Sequence, residues 1–127
     1  MTDPLRFEVP GTPPSVNHMY APRERMGAWY KTSDTSSYQS IAGLCVRLAM
    51  KKPWKEWLKT YTGQLICNYW FHLDVDMDCS NAFKAIEDAI AHELRVNDSR
   101  FLPRAMGKTT GNKKPYILVE ISPLEAI

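Results

Sequence analysis

The chain is poor in the residues from which covalent and soft-metal frameworks are built. It has three cysteines and three histidines in 127 residues. Cys45, Cys67 and Cys79 are widely spaced with no Cys-x-x-Cys pair, and His18, His72 and His92 are equally scattered. That excludes a disulfide scaffold and a structural zinc site, and Cys45 and Cys67 read as buried thiols. No apolar run is long enough to cross a bilayer. The first residues carry acid and proline instead of the basic-then-apolar layout of a signal peptide, so the expectation is a cytoplasmic protein. Repeats, low-complexity tracts and linker-like stretches are also missing, and the length suits one domain spanning 1–127. A formal net charge of +2 is too small to argue for a polyanionic partner by itself.

The distribution of charge says more than its sum. Asp74, Asp76 and Asp78 lie together, Arg23, Arg25 and Lys31 form an early basic group, and Arg100, Arg104, Lys108, Lys113 and Lys114 a late one. Local acid between basic segments suits a metal centre inside a phosphate-binding surface. Lys51, Lys52, Lys55 and Lys59 read as ordinary solvated charges.

Leu5, Phe7 and Val9 alternate with Arg6 and Glu8, which predicts a strand. Pro10-Gly11-Thr12-Pro13-Pro14 stops it, and a long stretch without period follows, to Lys31; such stretches tend to carry function. A helix is expected to begin within Ser33–Ser37 and to bury Tyr38, Ile41, Cys45 and Leu48, with Pro53 ending the pattern. Gln64–Leu73 alternates as a long strand. A second helix covers roughly Asn81–Arg95, and Arg100–Met106 and Tyr116–Ile121 read as two further strands. The order β-α-β-α-β-β gives an α/β (α+β) domain on one mixed sheet of about four strands with two main helices.

The second helix has two dissimilar sides. At about 100° per residue, Phe83, Ile86, Ile90 and Leu94 share one side, and Asn81, Lys84, Asp88, His92 and Arg95 share the other. A polar helix face is ordinarily just solvated. Here it directly follows a dense run of carboxylates, and that singles out Asn81, Lys84 and Asp88. Carboxylates packed this closely repel one another unless a cation sits among them, and their hard oxygens suit magnesium, manganese or calcium. A calcium loop of the EF-hand type fails: Cys79 stands where the glycine is needed and Ala85 where the bidentate glutamate is needed.

Three segments together resemble the RusA-type Holliday-junction resolvases of bacteria and their phages. Asn81-Ala82-Phe83-Lys84-Ala85-Ile86-Glu87-Asp88 keeps the Asn, Lys and Asp spacing of that family's Asp-x-Asp-Asn-x-x-Lys-x-x-x-Asp signature. Asn97-Asp98-Ser99 stands where the family has Asp-Asp-Ser, and Pro14-Ser15-Val16-Asn17-His18-Met19-Tyr20 is similar to its opening segment. Two departures accompany the likeness. Read without gaps, the family's first two aspartates fall on Asp78 and Ser80; read with a bulge at Cys79-Ser80, they are Asp76 and Asp78. The first member of the later acidic pair is Asn97.

The resemblance implies a Mg2+-dependent endonuclease, with Mn2+ as a substitute, that resolves four-way DNA junctions as a homodimer. Asp76, Asp78 and Asp98 would be its metal ligands and Lys84 would join them in catalysis. Asn81 and Asp88 would support the site. Ser15, Asn17, Tyr20, Arg23, Arg25, Lys31 and Lys108 would contact DNA. Trp29, Tyr30 and Trp70 are candidates for stacking or for the dimer interface, with core packing the alternative role for Trp70. A flap or other branched-DNA nuclease, and a catalytically weak junction-binding relative, are the alternatives.

Overall fold

In the computed structural model, which describes residues 3–16, 19–22 and 29–124, the elements run along the chain as follows. Strand β1 is Leu5–Pro10, β2 is Tyr20–Pro22 and β3 is Trp29–Lys31. Helix α1 is Ser33–Ala49, α2 is Lys52–Thr60 and β4 is Leu65–His72. Helix α3 is Cys79–Leu94, a 3-10 turn covers Asp98–Arg100, and β5 (Phe101–Thr109) and β6 (Tyr116–Pro123) close the chain. The principal sheet is mixed, in the order β1-β6-β4-β5, while β2 and β3 form a separate antiparallel ribbon. β6 runs antiparallel to both β1 and β4; β5 is parallel to β4, so β4, α3 and β5 form a crossover unit.

Period-two patterning explains which face of the sheet is covered. Leu65, Cys67, Tyr69 and Phe71 of β4 are buried, as are Phe7 and Val9 of β1 and Ile117, Val119 and Ile121 of β6. Phe83 of α3 lies on this face, its ring centroid 5.3 Å from that of Tyr69 and 5.8 Å from that of Phe71. The alternate residues of β4, Ile66, Asn68, Trp70 and His72, are half-buried on the opposite face. Burial pushes the Cys67 thiol up to about 12, as expected of an inert core cysteine. Cys45 is only half-buried.

The structure corrects the expected face of α1. Its buried residues are Thr35, Tyr38, Ala42, Gly43 and Val46, whereas Ile41 and Leu48 are exposed, together with Leu44. Small residues face α3 because the two helices approach closely: a Cβ on Gly43 would lie 3.2 Å from the Glu93 side chain. The second correction is α2, which was not expected. Pro53 stands in its first turn, where the missing N–H costs nothing, and therefore starts a helix instead of only ending one. Trp54 is buried, its indole N–H donating to the Asp3 carbonyl at 3.1 Å.

Candidate active site at the start of α3

The acidic run does not continue strand β4, which ends at His72. Beyond it the three aspartates take three separate tasks. Asp74 closes a loop: its carboxylate accepts from the Val75 N–H at 2.8 Å and the Thr12 hydroxyl at 3.2 Å, and its carbonyl accepts from the Gly111 N–H at 3.0 Å. Asp76 is paired with Lys108 at 2.8 Å, and the same ammonium donates to the Met77 carbonyl at 3.3 Å. Asp78 is the N-cap of α3, accepting from the Ser80 N–H at 3.1 Å and the Ser80 hydroxyl at 3.0 Å. Those bonds to the ionised form hold its carboxyl below the usual carboxylate range.

Capping by Asp78 also settles the local backbone. Helix α3 begins at Cys79, so Cys79-Ser80 is its first turn and not a strand bulge. Asn81 lies in that first turn, its backbone N–H donating to the Asp78 carbonyl at 3.0 Å.

One turn further on, three predicted residues meet. The Lys84 ammonium is 3.1 Å from an Asp88 oxygen, the pair expected from their four-residue spacing, and 3.8 Å from an Asp98 oxygen. Its pKa is raised, chiefly by the Asp88 bond and further by the Asp98 charge. Asp98 is delivered by a sequence of tight turns. Arg95 ends α3 in a left-handed conformation, φ 57°, and Val96 N–H returns to the Ala91 carbonyl at 3.1 Å. The Asn97 side chain then accepts from the Ser99 N–H at 2.9 Å, capping the 3-10 turn that carries Asp98. Asparagine serves that cap as well as aspartate would, which accounts for Asn97 at this place.

Glu87 is the residue that sequence reading missed. It lies in the apolar ridge of α3, three residues before Ile90 and four after Phe83, and its carboxylate accepts from the buried Tyr69 hydroxyl at 3.2 Å. Burial, reinforced by the charges of Asp98 and Asp88 and opposed by the Tyr69 bond, pushes its pKa up to about 7. A lone carboxylate at an apolar helical position was the available signal.

The expected DNA-contacting residues fall into three groups. Tyr20 is exposed on β2, in the neighbourhood of Lys84. Lys31 donates to Gln39 at 2.8 Å, and Gln39 donates to the Ala85 carbonyl of α3 at 3.0 Å, which ties the β2–β3 ribbon to the site helix. Lys31 and Asp88 line one groove between α1 and α3. Ser15 is half-buried in the segment after β1, and Lys108 is committed to Asp76. Asn17, Arg23 and Arg25 lie outside the described residues, and so do the side chains of Trp29 and Tyr30.

The expected metal set of Asp76, Asp78 and Asp98 is not assembled as a three-carboxylate cluster. Among the described residues no three His, Cys, Asp or Glu side chains are grouped for a metal ion. What is assembled is a pair: Asp88 and Asp98 converge on one cationic point, with the cap Asp78 at the start of the same helix. Magnesium commonly uses one or two protein carboxylates and completes its shell with water and substrate phosphate. Carboxylate oxygen is the donor type that ion takes, and the described residues form no cage of their own for it.

No protein-family model matches the chain, and no curated protein matches it. Among the described residues no helix is long and apolar enough to cross a membrane.

Proposed function

We propose that this protein is a Mg2+-dependent endonuclease acting on four-way or otherwise branched DNA. The observation that carries the reading is the approach of Asp98, from the 3-10 turn, to the Lys84–Asp88 pair of α3, in the order and spacing of the RusA-type signature. Asp98 would hold the divalent cation, with Asp78 as the second candidate; Asp76 is already paired with Lys108. A bound cation would supply a more acidic water and charge stabilisation at the departing oxygen. The chain's own residues do the rest. Asp88 positions Lys84, whose ammonium neutralises charge building on the phosphoryl oxygens. Tyr20 and Lys31 flank that point and would hold the DNA backbone.

Paired cuts in opposed strands require two sites related by a two-fold axis, so a homodimer belongs to the reading. The exposed Ile41, Leu44 and Leu48 on one side of α1 support a surface for a second copy. A catalytically weak junction-binding protein is the second reading. It is favoured by Ser80 in the gapless position of an aspartate and by the Lys108–Asp76 pair, which neutralises a would-be ligand.

Junction cleavage by the wild type and by Asp98→Asn separates the two. The charge is lost while the shape remains, so Mg2+-dependent cleavage of a mobile four-way junction should disappear and junction binding should persist or tighten. Unchanged cleavage by this variant removes Asp98 from the site. A wild-type protein that binds the junction without cutting it selects the second reading, and preferential cutting of a flap selects a different branched substrate.

A further inference from the structure

Beyond Asp88 the groove between α1 and α3 does not end. Its far wall, formed by Arg47 and Glu93, is shared with a second, larger hollow of about 680 Å³ bounded by α2 and the C-terminal ends of α1 and α3. Lys55, Lys59, Arg95 and Arg100 line this second hollow, and Glu93 is the one carboxylate in its lining. Glu93 is already paired with Arg47 at 2.5 Å, and Lys59 is paired with Glu56 at 3.6 Å. The Arg100 guanidinium is held in place by two backbone carbonyls, those of Gly63 at 3.0 Å and Tyr61 at 2.8 Å, which fix its position without cancelling its charge. Lys55, Arg95 and Arg100 form no ion pair among the described residues. Three uncompensated cations therefore surround one open hollow.

The hollow is large enough for a small molecule, but such sites are mostly apolar and enclosed, with few polar groups. Met50, Leu58, Leu94 and Val96 also line this one, but it is open and carries long cationic side chains, which suits a polyanion. It is also joined to the candidate active site twice, through the shared Arg47–Glu93 wall and through the single 3-10 turn that carries both Asp98 and Arg100. The offset along α3 sets a scale. From Lys84 to Arg95 the helix rises by roughly 16 Å, equivalent to about five nucleotides of a DNA strand.

Resting on the nuclease reading above, we propose that this hollow is a secondary phosphate-backbone site which grips a DNA arm about five base pairs from the scissile phosphate, with Lys55, Arg95 and Arg100 as its cations. Lys55 is thereby moved from ordinary surface charge to ligand contact.

The test is the Lys55→Gln/Arg95→Gln double variant, which removes two charges while keeping length and, at Arg95, a residue of similar tolerance for positive φ. Affinity for a four-way junction is measured against salt, using hairpin-capped arms trimmed in steps from long to about four base pairs. Each lost phosphate contact lowers the slope of log affinity against log salt by about 0.9, so the double variant should flatten it by about 2 on long arms. On the shortest arms the variant and the wild type should coincide. An unchanged slope on long arms, with wild-type binding intact, overturns the site and leaves the nuclease reading standing. A wild-type protein that binds no DNA at all overturns both. A variant that keeps its DNA binding but loses affinity for polyglutamate overturns it by assigning the hollow to an acidic protein.

Discussion

Replacing Glu87 by glutamine should change how the stability of this protein depends on pH. In the folded chain the Glu87 pKa is about 7 against an ordinary 4.5, because the carboxyl is half-buried beneath α3 beside two other negative charges. Between those values the folded state keeps a proton that the unfolded state has released, so stability falls as pH rises. The contribution is fully present below pH 4.5, is lost as pH climbs through about 7, and changes no further above that. A fully buried group with this difference would account for roughly 3 kcal/mol. Glu87 is only partly buried, and solvent screening reduces the figure to roughly 1–2 kcal/mol. Glutamine cannot ionise, yet its carbonyl still accepts the Tyr69 hydroxyl. The two proteins should therefore have similar stability near pH 4.5, with the variant more stable by roughly 1–2 kcal/mol above pH 7. Urea unfolding in a pH series, with a chelator present so that no cation compensates the carboxylates, measures this directly. Parallel stability curves for wild type and variant would refute the reasoning and place the Glu87 carboxylate in contact with water.

Two further substitutions probe the site itself. Lys84→Met keeps the alkyl stem but deletes the charge between Asp88 and Asp98; junction cleavage should fall by about 10²–10³-fold, as for loss of one electrostatic donor, with a much smaller loss of binding. Equal losses in both would make Lys84 a binding residue only. Asp78→Asn and Asp76→Asn, compared for cleavage and for Mg2+ dependence, divide the acidic run. Asparagine at 78 still caps α3, so a large loss of cleavage with an unchanged melting temperature would mark a ligand. Asp76→Asn should be close to silent, because its partner is Lys108; abolished cleavage would return Asp76 to the metal set.

Much of the fold was legible because its sheet is amphipathic in the simplest way. Leu65, Cys67, Tyr69 and Phe71 announce a covered face through strict alternation, and that face is the one α3 packs upon. Helix α1 was harder. A reading weighted by hydrophobicity chooses Ile41 and Leu48, whereas close packing against α3 selects Ala42 and Gly43. Helix α2 was hidden by Pro53, whose meaning depends on whether a helix stands before or after it. No local rule decides that.

The site followed the same division between what spacing dictates and what tertiary structure decides. Lys84 and Asp88 are neighbours by helical geometry alone, so their pairing could be read from the sequence. The approach of Asp98 depends on a left-handed Arg95 and an Asn97-capped turn, which no periodicity encodes. Asp74, Asp76 and Asp78 were the least legible, because alternation assumes an extended strand and the strand stops at His72. Once it stops, each carboxylate is claimed by the nearest available donor: backbone N–H and Thr12 for Asp74, Lys108 for Asp76, and the amide and hydroxyl of Ser80 for Asp78. Ser80 thus has a definite task where the gapless reading of the resembled family has an acid: it orients the Asp78 carboxylate by two hydrogen bonds. An aspartate at 80 would place a second negative charge beside Asp78 and remove the hydroxyl donor from it. Ser80→Asp should therefore weaken the cap unless a divalent cation is present to bridge the two carboxylates. A rise in melting temperature on adding Mg2+, seen in Ser80→Asp and larger than in wild type, would mark this turn as a metal-binding scaffold with one ligand missing; equal rises in both proteins would show that it is only a helix cap.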